Sequence, residues 1–305
     1  TCALPIYVRQ RVAVPAGART LQPAAQPMPL PSVAQEPTIR WTIDKQDLNL
    51  DDYLRRQPVH ALLIARGNQV IVERYPAGAG ADRQRLSNSM AKTVVGLAAG
   101  LARAEGRVDR FDRPLVHWLP ALAGSVHADT TLRNVLRMGS GLHYVETYEP
   151  GDDSSRFRAE FQRVGVVQAV RAFQQREAPQ GMRFNYAGID TALAAAAVVA
   201  ATGEGLASYL QPRLWQAMGA EAPADWQTDP TGLELGQCCL WARPRDWLRL
   251  GIVLAHDGRR PDTGATVIDP AYLVESTDAR RLDPPFRPGP GRWGYENFFW
   301  VMGTP

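Results

Sequence analysis

A serine and a lysine three residues apart are the first candidates for chemistry in this 305-residue chain. Apolar residues recur at three- and four-residue steps over residues 89–105, so we expect a helix that places Ser89 and Lys92 on one face. A serine hydroxyl becomes a strong nucleophile when a neighbouring base takes its proton, and a lysine of lowered pKa can be that base. The spacing therefore predicts a nucleophile, Ser89, that is activated by Lys92.

Lysine is rare in this chain, which makes the position of Lys92 informative. The sequence has 34 basic residues against 31 acidic ones, and only Lys45 and Lys92 are lysines. Arginine cannot serve as the base because its guanidinium stays protonated in proteins. The alternative interpretation is structural: Ser89 would cap the helix, and Lys92 would lie on its surface one turn later.

Other catalytic patterns are missing from the sequence. No serine has glycine both two positions before and two positions after it, and neither lysine follows a glycine, so nucleophile-elbow and phosphate-loop motifs are excluded. The histidines lack metal-binding spacing, and the adjacent Cys238 and Cys239 are poorly placed for an ordinary disulfide or a zinc site. We therefore predict serine chemistry without a metal ion or an organic cofactor.

The overall composition is that of a globular domain. The chain is 45% hydrophobic and 21% charged with a formal net charge of +3, which excludes disordered and collagen-like classes. Its arginines are scattered rather than grouped in a basic stripe, so we expect no nucleic-acid partner. The longest nearly apolar run, residues 192–201, is too short to span a bilayer, so no membrane span is predicted.

The elements around Ser89 predict an α+β fold. Apolar runs at 61–65 and 70–75 flank a Gly-Asn turn and predict a β-hairpin, and strand character returns in the aromatic segment 293–301. Strands at both ends with helices between them indicate one sheet built from distant segments, with an inserted helical region. The other predicted helices cover residues 132–138, 166–175, 190–202, 206–218 and 245–256, and one more begins at Asp269-Pro270.

The first 40 residues differ in composition from the rest. Residues 12–38 contain six prolines among alanines and glutamines, which predicts a poorly ordered leader over residues 1–40. We expect a single domain over 41–305 with a mostly helical subdomain at about 106–235. The composition of the leader favours a periplasmic or secreted protein over a cytoplasmic one.

Several blocks resemble the serine β-lactamase-like hydrolases, in order and at the family's spacing. The nearest branch contains class C β-lactamases, D-Ala-D-Ala carboxypeptidases and 6-aminohexanoate-dimer hydrolases. The resemblance implies a β-lactamase/transpeptidase-like fold, in which helices flank an antiparallel sheet. It covers roughly residues 60–300, and its blocks are 85–93, 106–109, 131–142, 144–153, 181–188 and 240–251.

The resemblance also implies roles for individual residues. Ser89 would be the acylated nucleophile, Lys92 its activating partner, and Tyr186 the tyrosine that shares proton transfer to the leaving group. A lysine beside Tyr186 would draw the pKa of the tyrosine down toward working pH; simple packing is the alternative role for Tyr186. Tyr148 matches a loop tyrosine that contacts the substrate's amide nitrogen, with Tyr144 as the competing position.

Two features depart from the family pattern. Gly188 stands at a substrate-binding position where the second motif usually has Asn or Ser, so a polar contact to substrate or lysine is missing, and Asp190 is a candidate to replace it. The third motif, a Lys-Thr-Gly or related triplet, does not follow the aromatic segment 293–301. We expect this motif, with a last strand and a helix, to lie beyond Pro305.

These observations predict a serine hydrolase that forms an acyl-enzyme on a small amide or ester substrate. The acidic loop and the second motif resemble the aminohexanoate-dimer hydrolases and esterases more than true β-lactamases. A β-lactamase or D-Ala-D-Ala carboxypeptidase is the enzymatic alternative. A non-catalytic penicillin-recognising module or pseudo-enzyme is the other alternative, which the departures at Gly188 and at the third motif would suit.

Overall fold

The computed structural model describes residues 17–76, 80–289 and 292–303, which form a mixed α+β fold. The strands are β1 (Ala18–Leu21), β2 (Arg40–Ile43), β3 (Gln46–Asn49), β4 (Leu62–Arg66), β5 (Gln69–Arg74), β6 (Arg85–Leu86), β7 (Ala224–Gln227), β8 (Leu240–Ala242), β9 (Gly294–Glu296) and β10 (Phe299–Val301). The α-helices are α1 (Leu50–Arg56), α2 (Met90–Ala104), α3 (Leu132–Leu136), α4 (Asp153–Val164), α5 (Val166–Ala169), α6 (Gly188–Thr202), α7 (Leu206–Leu210), α8 (Pro244–Ala255) and α9 (Pro270–Thr277).

A four-stranded antiparallel sheet fixes where the chain enters helix α2. Its strand order is β1-β7-β8-β6. Just beyond β6, the Ser87 amide donates to the Leu240 carbonyl at 2.8 Å, and the Leu240 amide donates to Ser87 Oγ at 3.2 Å. These two bonds extend the β6–β8 pairing to within two residues of Ser89.

Helices α2 and α6, each of 15 residues, form the centre of the core. Most of α6 is buried, and its alanine-rich surface lets neighbouring segments approach closely. The loop at Gly236 is one such segment. A Cβ added to Gly236 would lie 2.7 Å from Ala195 Cβ and 3.1 Å from Val95 Cγ2. In the described ranges no single helix has the length and hydropathy of a membrane span, although α6 and Leu206–Trp215, bent by 69°, meet the criteria as a pair.

The predicted hairpin and helices are present. Strands β4 and β5 pair antiparallel around Gly67, whose φ of +58° belongs to the left-handed region that favours glycine. The helix predicted over 206–218 is shorter, because Pro212 has no N–H to continue α7 and the chain passes into a π-helical turn. The other predicted helices correspond to α2, α3, α6, α8 and α9, and the one at 166–175 is α5 followed by a 3-10 turn, Val170–Ala172.

The expectation of a single sheet is wrong for the described residues. Strand pairs β2–β3, β4–β5 and β9–β10 form two-stranded ladders beside the four-stranded sheet. Each pair bonds locally and then packs on a helix instead of joining the sheet. Val70 of β5 packs with Ile252 of α8, and Thr93 Oγ1 of α2 donates to the Phe298 carbonyl at 2.9 Å between β9 and β10.

The expectation of a poorly ordered leader is wrong from residue 17 onward, while residues 1–16 lie outside the described ranges. Strand β1 pairs with β7 at the edge of the four-stranded sheet. Leu21 is 1% exposed and Met28 is fully buried. The Met28 amide donates to Gly219 O, and Arg249 Nε donates to Met28 O at 3.0 Å. Apolar residues spaced between the prolines therefore anchor an extended segment that composition alone describes as a linker.

This anchoring predicts that Met28→Ala lowers the free energy of unfolding by about 2–5 kcal/mol, because it leaves a cavity against Leu30, Val70 and Ile252. The measurement is equilibrium urea unfolding of the purified chain. The matched control is Gln26→Ala, an exposed position in the same segment, which we expect to stay within about 0.5 kcal/mol of the parent. Equal stability of the two variants would contradict the integration of this segment into the core.

Candidate active site

Ser89 and Lys92 are brought together as the spacing predicts. Ser89 is the N-cap residue of α2, and its side chain makes no capping hydrogen bond. Lys92 Nζ donates to Ser89 Oγ at 3.1 Å and to the Gln237 carbonyl at 2.9 Å. Lys92 is only 3% exposed. The alternative of a capping serine with a surface lysine is therefore wrong.

The backbone before α2 presents the serine at the helix start. Asn88 has a φ of +44°, a left-handed conformation that asparagine tolerates better than most residues. Its turn leads directly from the β6–β8 pairing into α2. Backbone N–H groups at a helix start lack intrahelical partners, and together with the helix dipole they favour negative charge. Ser89 thus lies where charge that develops on a bound carbonyl oxygen would be stabilised.

The environment of Lys92 suits a base. Burial lowers its pKa from 10.5 to about 8, while the negative charge of Glu146 acts in the opposite direction. A lysine with its ordinary pKa would hold its proton at neutral pH. At a pKa of about 8, the amine can accept a proton from Ser89 at moderately alkaline pH.

Tyr186 lies across the site from α2. Lys92 Nζ is 5.0 Å from the centroid of the Tyr186 ring. Trp300 stacks on the same ring, with ring centroids 5.7 Å apart. Burial raises the pKa of Tyr186 to about 12, although a hydrogen bond with Ser89 lowers it. The expectation that Lys92 draws this pKa toward working pH is therefore wrong, because burial is the largest influence on it. Tyr186 keeps its proton and can act as a hydrogen-bond donor.

Tyr148, not Tyr144, is the loop tyrosine at the site. Burial raises the pKa of Tyr148, while a hydrogen bond with Ser89 lowers it. Asp152, which caps α4, holds the loop by accepting from the amides of Thr147 at 2.9 Å and Tyr148 at 2.8 Å. Tyr144 is buried in the core against Phe173, with ring centroids 5.7 Å apart.

Glu146 is the functional candidate that sequence reasoning missed. The Gly188 amide donates to Glu146 Oε2 at 2.5 Å, and a Cβ added to Gly188 would lie 3.1 Å from that oxygen. Asp190, expected to fill this role, is fully buried and accepts from the Ser140 amide at 3.4 Å instead. The available signal was the place of Glu146 two residues before Tyr148 in the acidic loop.

Cys238 and Cys239 form a disulfide, which corrects the expectation from sequence. Their Cα atoms are 3.7 Å apart, below the range of ordinary bridges, because the bond closes a ring within one dipeptide. Cys239 has a φ of +74°, and the chain continues from it into β8. The bridge therefore lies next to Gln237, whose carbonyl accepts from Lys92.

An aromatic cluster forms one wall of the site. Trp300 contacts Tyr295 edge-on at 4.8 Å and Phe184 at 5.6 Å, measured between ring centroids. Beside this wall is a cavity of about 220 Å³ that does not include Ser89 or Lys92. Its lining residues are Met182, Arg183, Phe184, Pro285, Phe286, Arg292, Trp293 and Tyr295.

A family of known proteins matches the region around this site. The sequence model described as Beta-lactamase matches residues 49–235, which is more than half of the chain. The matched region contains Ser89, Lys92, Tyr148 and Tyr186. The predicted resemblance is thereby confirmed at the level of the family.

Individual relatives agree with this match. A 6-aminohexanoate-dimer hydrolase from Paenarthrobacter ureafaciens is 27% identical over 253 residues, covering 80% of this chain and 63% of the relative. The chain thus spans less than two thirds of that protein's length. A Bacillus anthracis structure, provisionally named 6-aminohexanoate-dimer hydrolase, matches with a TM-score of 0.82 at 21% identity, covering 94% of this chain and 77% of that one.

A penicillin-binding protein homologue from Caulobacter crescentus matches more distantly. Its TM-score is 0.59 at 16% identity, and the match covers 79% of this chain and 75% of that one. At such identities the two structures show a shared fold. They confirm the predicted α+β class and its β-lactamase/transpeptidase-like architecture.

The geometry predicts that Lys92→Arg abolishes acylation of Ser89, because arginine keeps the positive charge but cannot accept a proton. We expect the labelling rate with a fluorophosphonate to fall by about 10²–10⁴-fold. For the parent protein the rate should rise with pH through about 8, as Lys92 becomes neutral.

The matched control is Lys45→Arg at the chain's other lysine, which is exposed in the β2–β3 turn. It should label at the parent rate. Parent-like labelling of a folded Lys92→Arg variant would exclude Lys92 as the base.

Proposed function

Because the chain belongs to the beta-lactamase family, we propose that it is a serine hydrolase that forms an acyl-enzyme on Ser89. The observation that carries this proposal is the buried Lys92 amine, 3.1 Å from Ser89 Oγ. A serine whose neighbour is a lysine of lowered pKa is equipped for nucleophilic attack. This pair favours an enzyme over a non-catalytic recognition module, which would have no need for a lysine of lowered pKa.

Acylation begins with proton transfer from Ser89 to the neutral amine of Lys92. As the Oγ–H bond breaks, Oγ forms a bond to the substrate's carbonyl carbon, and the carbonyl π-electrons move onto the oxygen. The start of α2 faces the charge that develops there. The product of this step is a tetrahedral adduct on Ser89, with the transferred proton on the Lys92 ammonium.

Tyr186 then delivers a proton to the leaving group. Its hydroxyl is protonated at neutral pH and close enough to Ser89 for the serine to lower its pKa. As the carbon–nitrogen or carbon–oxygen bond breaks, Tyr186 gives its proton to the departing atom and takes one from the Lys92 ammonium. Lys92 returns to the neutral amine, and the acyl group stays on Ser89.

Hydrolysis of the acyl-enzyme uses the same groups in the reverse sense. A water molecule gives a proton to the Lys92 amine as its oxygen attacks the ester carbon. Collapse of the adduct returns that proton to Ser89 Oγ and releases the carboxylic acid. The steps use the side chains of the site, the substrate and one water molecule.

The substrate class we propose is a small amide or ester. The 27% identical relative is named 6-aminohexanoate-dimer hydrolase. Tyr148 adds support, because Ser89 is among the groups that influence the pKa of its hydroxyl, and a hydroxyl near the nucleophile can contact an amide nitrogen. The rings of Tyr186, Tyr295 and Trp300 give the site an apolar side that suits an aliphatic acyl chain.

Labelling with a fluorophosphonate tests the acyl-enzyme proposal. We expect one label per chain, located at Ser89 by peptide mass spectrometry and lost in Ser89→Ala. The control is Ser208→Ala, an exposed serine on α7, which should label like the parent. A folded parent chain that takes up no label would exclude the proposed chemistry.

Turnover of three substrates tests the substrate class. We expect hydrolysis of p-nitrophenyl butyrate and of the 6-aminohexanoate dimer to exceed that of nitrocefin by at least about tenfold in kcat/KM, since the aromatic side of the site suits a linear aliphatic acyl chain and the relative is named for such a substrate. Each activity should disappear in Ser89→Ala. Preferential turnover of nitrocefin would instead assign the chain to the β-lactamases.

A further inference from the structure

We propose that Glu146 is a positioning residue of this site: its carboxylate fills the space that Gly188 leaves empty and connects the start of α6 to Tyr148. This inference rests on the proposed function, since positioning is meant with respect to acylation of Ser89. No sequence motif points to this residue.

The two oxygens of Glu146 hold two different elements together. Oε2 accepts from the Gly188 amide at 2.5 Å, and Oε1 accepts from the Tyr148 hydroxyl at 3.1 Å. Gly188 is the first residue of α6, and the N-cap residue, Ala187, has no side chain that could cap the helix. The Glu146 carboxylate therefore caps α6 from a distant loop, where the helix dipole favours its charge.

Gly188 is needed for space rather than for its backbone conformation. Its φ lies outside the left-handed region, unlike that of Gly181 or Gly203, so any residue could adopt it. A Cβ at position 188 would lie 3.1 Å from Glu146 Oε2, closer than most Cβ contacts in proteins. Glu146 can therefore approach the start of α6 only because position 188 has no side chain.

The negative charge of Glu146 also acts on the amine of Lys92. Ser89 Oγ, the Gln237 carbonyl and the Tyr186 ring face the amine of Lys92 directly. Among the charged groups near the site, Glu146 is the one whose charge raises the pKa of Lys92, against the effect of burial. The more distant titratable groups of the site are Tyr148 on the loop, Tyr295 on β9 and Asp190 on α6, and their own pKa values are raised mainly by burial.

The same charge keeps the two site tyrosines protonated. Glu146 raises the pKa of both Tyr148 and Tyr186, adding to the effect of burial. Both hydroxyls therefore remain donors at a pH near 8, at which Lys92 changes its protonation state. Burial lowers the pKa of Lys92 and raises those of the two tyrosines, while the charge of Glu146 raises all three.

Two compensating substitutions, at positions 146 and 188, test whether the Glu146 carboxylate occupies the space beside Gly188. Glu146→Ala removes the cap and the Tyr148 contact, and Gly188→Asn forces Glu146 out of its place. Each single variant should acylate at least about tenfold more slowly than the parent. The double variant should recover most of the loss, because the Asn amide then occupies the vacated space and offers an oxygen to Tyr148.

Isotope labelling tests the charge part without relying on activity. The chain has only two lysines, so lysine labelled with ¹³C at Cε gives two NMR signals, and the Lys45→Arg variant assigns them. We expect the Lys92 signal to titrate near pH 8 in the parent and at lower pH, by about half a unit or more, in Glu146→Gln. Glu149→Gln, an exposed acid of the same loop, is the control and should leave the midpoint in place.

The outcomes separate the two proposals. An unlabelled parent chain together with a shifted Lys92 midpoint in Glu146→Gln would overturn the hydrolase, and with it a role of Glu146 in acylation, while supporting the action of Glu146 on the charge of Lys92. Normal acylation of the parent, with an unshifted midpoint and no recovery in the double variant, would overturn the assignment of Glu146 and leave the hydrolase intact. A purely structural role would lower acylation at every pH by the same factor without moving the midpoint.

Discussion

The site depends on keeping one lysine amine out of water beside a serine. A buried ammonium is costly unless acceptors surround it, and here the acceptors come from distant parts of the chain. Ser89 lies one turn away on α2, whereas Gln237 lies on the loop before β8. The β6–β8 pairing sets the distance between these two segments, so the sheet determines how Lys92 is held. Partial loss of solvation is what makes the amine a usable base.

Small residues make this arrangement possible. A Cβ on Gly96 of α2 would collide with the carbonyl oxygen of Asn297, so its absence lets the β9–β10 turn rest on the helix. That contact brings Trp300 of β10 against Tyr186. Gly236 plays a similar part for the loop that ends in Gln237. The alanines and glycines of the core thus serve close approach between backbones, which larger side chains would prevent.

Features with a local cause could be predicted from the sequence. The Ser89–Lys92 pair follows from helix spacing, and the β4–β5 hairpin follows from its turn residues. Features that depend on contacts between distant segments could not. The order of the segment around Met28 comes from its burial against α8, and the approach of Glu146 to Gly188 joins residues 42 positions apart. The raised pKa of Tyr186 is equally non-local, since it reflects partial burial against residues distant in sequence such as Trp300.

The scarcity of lysine fits different uses of the two basic residue types, with arginine in ion pairs and lysine as a base. Arg103 forms a bidentate ion pair with Glu275, and Arg249 is held in the core by Glu221 and Asp246. Such pairs need a cation that keeps its charge in every environment, which the guanidinium provides. A base needs the opposite property, because its proton must leave when it is buried. Placing arginine in the permanent ion pairs and lysine beside Ser89 satisfies both requirements, because the amine there makes its hydrogen bonds with the uncharged Ser89 hydroxyl and Gln237 carbonyl.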